Sequence, residues 1–155
     1  MPEAHLIRGE CLVRDLQFNE DVKLTRKALV RWLALSLGLI SPNETRAGLL
    51  EVLEALLHFH FKRKHGGADP DIYQLLEKVK EIRRGEPNPK AVRYHLLQLK
   101  KLGIIEAKKR KYRFALSPMQ EDDNLASALS YAYRQRIDSS FEKIKKAVAL
   151  LEKTL

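Results

Sequence analysis

Val92-Arg93-Tyr94-His95-Leu96-Leu97-Gln98-Leu99-Lys100-Lys101-Leu102-Gly103-Ile104-Ile105 holds a helix and its stop signal in one stretch. With about 100° between successive residues, Val92, Leu96, Leu99 and Leu102 share one stripe, and Lys90, Tyr94, Leu97 and Lys101 lie opposite. The stripe is a core face, and the opposite face is left for solvent or a partner. Upstream, Asn88-Pro89 pairs a good N-cap with a proline at the first helical position, where a missing N–H costs nothing. A helix over 89–102 is therefore predicted.

The same proline logic extends outward. Ser41-Pro42, Asp69-Pro70 and Ser117-Pro118 also read as helix starts, and Ser41 with Glu44 and Ser117 with Gln120 have capping-box spacing. With a start near Thr25, the expected helices are 25–39, 42–64, 70–84, 89–102 and 118–154, Asp122-Asp123 being the one place where the last could break. Between the last two, Ile104-Ile105-Glu106-Ala107 and Tyr112-Arg113-Phe114-Ala115-Leu116 are short, rich in branched and aromatic residues, and joined by Lys108-Lys109-Arg110-Lys111. They predict a hairpin with a basic tip. A second small hairpin is expected over Ala4 to Phe18, where Leu6-Ile7 and Cys11-Leu12-Val13 flank Gly9.

The order helix, helix, helix, basic hairpin, with the 92–105 stretch inside it, resembles the prokaryotic winged helix-turn-helix transcription regulators. Their pattern runs Val-Ser-x-His-Leu-x-x-Leu-x-x-x-Gly-Leu-Ile and then a basic wing ending in an aromatic. The resemblance covers about residues 42–116 in order of elements and is specific in 88–116. Arg93 stands where the family commonly has a small hydroxyl residue, and Arg84-Gly85-Glu86-Pro87-Asn88 is longer than a tight turn. The resemblance implies a mostly α fold with a small β-hairpin wing, in which helix 89–102 enters the major groove of DNA. It also implies an organisation of 1–41, hairpin and apolar helix; 42–116, winged helix-turn-helix; and 117–155, a C-terminal helix for dimerisation.

The residues support that reading independently. Arg93 and Gln98 flank the outward face with donors suited to guanine and adenine edges, Tyr94 can reach a phosphate or stack, and Leu97 can touch a thymine methyl. Asn88, Lys90 and Lys101 complete the contact set on this helix. Lys108, Lys109, Arg110 and Lys111 would meet the backbone or the minor groove. The chain has 155 residues and a formal charge of +9; residues 88–115 carry nine Lys or Arg against Glu106 alone. That segment is +8 and everything else sums to +1. A charge concentrated on one helix and one tip has the form of a phosphate-binding footprint, although a basic tip can also merely protect a strand edge.

Other chemistry is poorly represented. One cysteine, Cys11, excludes an intramolecular disulfide and a Cys-rich zinc site, and its apolar surroundings suggest a small hydrophobe in a reducing cytoplasm. No signal-peptide pattern opens the chain, and the most apolar run, Ala28 to Ile40, is interrupted by Arg31 and Ser36 and falls short of the ~20 residues of a membrane span. His58, His60 and His65 lack the i, i+4 spacing of helical metal ligands, and His95 reads as helix packing or a phosphate contact. No nucleophile triad, phosphate loop or carboxylate pair stands out, so neither an enzyme, a cofactor, a metal nor a small-molecule effector is expected.

Ile137, Phe141, Ile144, Val148, Leu151 and Leu155 recur at spacings 4, 3, 4, 3, 4, a heptad seam. Such a seam needs a partner, either the chain's own apolar helix Leu29 to Ile40 or the same seam in a second copy. The homodimer is preferred, because two half-sites give a DNA-binding module useful specificity. Arg134-Gln135-Arg136 would then sit near the dimer's edge. The rival functions are a protein–protein adaptor built on the same scaffold and a structured-RNA binder.

Overall fold

The computed structural model describes residues 2–115 and 124–155. The chain is mostly helical with one two-stranded antiparallel hairpin. A short helix α1 (Glu20–Lys23) precedes α2 (Arg26–Ser36), α3 (Gly48–Lys62), α4 (Ile72–Arg83) and α5 (Pro89–Lys101). Strands β1 (Ile105–Lys108) and β2 (Lys111–Phe114) follow, and then α6 (Leu125–Thr154).

Two of the expected starts behave differently from the simple proline rule. Thr25 does cap α2, its hydroxyl accepting from the Ala28 amide at 3.0 Å. Ser41-Pro42, however, opens a turn closed by Glu44 N–H to the Ser41 carbonyl, 3.2 Å, in which Asn43 takes a left-handed φ of 65°. That conformation cannot continue into a helix, so α3 begins at Gly48 instead of residue 42. Asp69-Pro70 is also not the start of α4. Asp71 is, because with Gln74 it forms a full capping box with both bonds at 2.9 Å, while Asp69 faces Arg63 at 3.5 Å. The start expected at Ser117-Pro118 lies outside the described residues; within them, Asn124 caps α6 by accepting from the Ser127 amide.

The expected hairpin over Ala4 to Phe18 does not form. Residues Pro2–Leu6 make a 3-10 turn, and the chain then runs as a strap along the C-terminal end of α2. Arg14 explains why. Its backbone exchanges bonds with Ser36, and its guanidinium donates to the carbonyls of Leu35 and Ile40, both at 2.8 Å. The last carbonyls of a helix have no partner within it, and here the strap satisfies them in place of pairing with itself. Gly38, at φ 72°, lets the strap pass, since a Cβ there would stand 2.6 Å from the Leu12 carbonyl oxygen. Cys11 rides on this strap and is exposed, contrary to its reading as a packed hydrophobe.

The core collects Val30 and Ala34 from α2, Val52, Leu53 and Leu56 from α3, Leu75 and Val79 from α4, Val92, Leu96 and Leu99 from α5, and Phe114 from β2. Only the root of α6 joins it, through Leu125, Ala128, Leu129 and Tyr133. From Ile137 onward every residue of this thirty-residue helix is exposed. The seam therefore does not pack on the helix of Leu29 to Ile40, and the intrachain arrangement is ruled out.

Candidate nucleic-acid interface

The cap of α5 sits where the sequence places it. The Asn88 side-chain oxygen accepts from the amides of Lys90 and Ala91 at 3.0 and 3.3 Å, and Pro89 fills the first position. Asn88 thus has a structural duty at the start of the helix, with its carboxamide oxygen already engaged. Val92, Leu96 and Leu99 are buried and fix the roll of the helix. Lys90, Arg93, Tyr94, Leu97, Gln98 and Lys101 are consequently exposed, Tyr94 at 57% and Leu97 at 48%. Two large apolar or aromatic side chains held open among cations form a surface that can meet bases as well as phosphates.

His95 is half-buried between this face and the start of α3, where a Cβ on Gly48 would come within 2.9 Å of its Nε2. Burial, reinforced by the field of Arg46, holds its imidazole below the ordinary value of 6.5. This half-buried place against Gly48 agrees with the packing reading of His95. The fold also brings Arg46 to the edge of α5, a cation that no pattern in the sequence connects with this helix.

At its other end α5 closes with paired bonds, Ile104 N–H to the Leu99 carbonyl and Gly103 N–H to the Lys100 carbonyl, at 3.1 and 3.0 Å. Gly103 takes φ 76°, which allows the chain to reverse into β1. Arg136 of α6 donates to the Lys101 carbonyl at 2.9 Å, placing a cation on the negative end of the α5 dipole. The sequence put this arginine near a dimer edge, and the structure puts it against the recognition candidate itself.

The hairpin pairs Ile105 with Phe114, Glu106 with Arg113, Ala107 with Tyr112 and Lys108 with Lys111. Its base is anchored: Phe114 is buried edge-on to His60, Tyr112 N–H donates to the Pro70 carbonyl at 2.8 Å, and Arg113 bonds Glu106 at 2.5 Å. That ion pair compensates Arg113. The tip is different, with Lys108, Lys109, Arg110 and Lys111 all exposed and Lys108 directly opposite Lys111.

Lys109 and Arg110 occupy left-handed φ values of 52° and 64° in a two-residue turn. A turn of this hand suits Asn-Gly, and each side chain with a Cβ costs about 1–2 kcal/mol there. Replacing Lys109 by Asn and Arg110 by Gly is therefore expected to raise the melting temperature by a few degrees in a thermal melt. A lower melting temperature would show that the two cations stabilise the tip in some other way.

Among the described residues, no three His, Cys, Asp or Glu side chains are grouped as metal ligands, and no helix is long and apolar enough to cross a membrane. No protein-family model, curated protein or solved structure matches the chain.

Proposed function

We propose that the chain is a winged helix-turn-helix protein that binds double-stranded DNA in a sequence-dependent manner as a homodimer, acting as a transcription regulator. The observation that carries this reading is the basic tip. Four exposed cations are kept at a turn whose geometry disfavours two of them, and local strain of this kind is a mark of sites retained for function. In this reading α5 lies in the major groove with Arg93 and Gln98 at base edges, and Lys108 to Lys111 grip the flanking backbone or minor groove. The Asn-Gly tip that stabilises the fold then weakens binding, so the two effects have opposite signs.

Duplex DNA is favoured over duplex RNA because the deep, narrow RNA major groove does not admit a helix such as α5. Arg93→Ala or Gln98→Ala is expected to cost roughly 1–3 kcal/mol on the preferred duplex and to relax the preference at one position. Selection from a random duplex pool followed by titration checks this. Equal losses on preferred and random duplexes would reduce both side chains to positioning groups, and preferential competition by structured RNA would replace the DNA reading.

A further inference from the structure

Between α2, α3 and the first turns of α6 lies a cavity of about 870 Å³. Its wall is apolar, built by Leu29 and Leu33 of α2, Leu57 and Phe61 of α3, and Leu125 and Leu129 of α6. Leu29 is 40% and Phe61 50% exposed, so the space is open to solvent on one side. An open groove of this size and lining falls within the range of small-molecule sites.

The polar groups around it lean to one sign. Arg26, Lys62 and Lys78 line it from three different helices, against Glu54 as the one acid of the lining among the described residues. Lys78 is held by Glu81 at 3.0 Å, which leaves Arg26 and Lys62 as the cations best placed to meet a ligand. His58, also in the lining, has its pKa lowered, first by burial and then by Lys78 and Lys62, with Glu81 opposing them and Arg26 adding to them, so the net field at this ring is cationic.

We propose that this cavity is a binding site for an amphipathic monocarboxylate, an alkyl chain or ring system lying against the leucines with its carboxylate toward Arg26 and Lys62. The apolar wall supplies the burial and the two cations fix which end of the ligand faces out. The site is separate from α5 and the hairpin, so its occupancy is measurable without DNA.

The test uses the full chain and dodecanoate labelled with carbon-13 at the carboxyl, followed by nuclear magnetic resonance and by the shift in melting temperature. Dodecanoate is expected to bind with a dissociation constant in the micromolar range and to raise the melting temperature, since a ligand of the native state stabilises it. Its methyl ester should bind about tenfold more weakly, and the pair Arg26→Glu with Lys62→Glu should lose at least about as much. Leu29→Trp, at a position already partly open to solvent, should crowd the apolar wall and weaken binding while leaving the circular dichroism unchanged. No saturable binding at millimolar dodecanoate would overturn the site. Equal binding of the ester would overturn the carboxylate assignment, and full binding by Leu29→Trp would place the ligand elsewhere.

Discussion

Aspartate at both Ile144 and Val148 is expected to turn a dimer into a monomer whose globular body melts as before. Both side chains are about half exposed, at 48% and 58%, and neither touches the core, so the substitution has no intrachain packing to damage. In a paired coil the same two positions would be buried, and unpaired charges there cost several kcal/mol. The six seam side chains would each gain roughly 1.5–3 kcal/mol from full burial as an upper figure, so losing the pairing removes most of the association energy. Sedimentation should show the mass halved. Some helical signal should be lost too, because the projecting half of α6 is marginal once it stands alone. Binding to a two-half-site duplex should fall to that of a single half-site. A wild-type chain that sediments as a monomer at concentrations on the order of tens of micromolar would refute the seam as an interface, as would a double variant that stays dimeric.

Removing the four cations of the tip, Lys108, Lys109, Arg110 and Lys111, by alanine should weaken binding to every duplex, whatever its sequence. Every phosphate that the tip no longer neutralises flattens the slope of log K against log salt by about 0.9, so the full set changes it by up to ~3.6. The fold should tolerate the change, since the hairpin is held at its base by Phe114, Tyr112 and the Glu106–Arg113 pair, away from the substituted residues. Titrations at several salt concentrations decide the matter: an unchanged slope means that the tip does not touch the polyanion and that its charges serve only solubility.

The parts of this structure that were legible in the sequence are those settled by neighbours along the chain. Asn88-Pro89 and the Val92, Leu96, Leu99 stripe needed only helical periodicity, and the basic hairpin needed only two short branched runs with a tip between them. Where two local signals competed, the rule failed for want of tertiary information. Asp71 prevailed over Asp69 because Gln74 could return its bond and because Arg63 stood ready to pair with Asp69. The N-terminal strap has the composition of a hairpin, but its hydrogen bonds go to the end of α2, a partner more than twenty residues away. Arg46, Arg136 and the leucine-lined cavity are likewise assembled from distant segments. The heptad seam shows an intermediate case, its pattern plain and its exposure visible only in three dimensions.

The root of α6 is pinned at two places, the Tyr133 hydroxyl donating to the Leu37 carbonyl at 2.5 Å and Arg136 to that of Lys101 at 2.9 Å. Beyond these pins, residues 137–154 extend as an unsupported arm of about 27 Å at 1.5 Å per residue. Mechanically this is a lever with its fulcrum against the ends of both α2 and α5. A tilt of about 10° at the fulcrum would carry the far end through about 5 Å for an arm of that reach. In a dimer joined along the arm, the gearing runs both ways. A small displacement at the root is magnified into the spacing between the two copies of α5, and a partner that fixes that spacing transmits torque back to the carbonyls of Leu37 and Lys101.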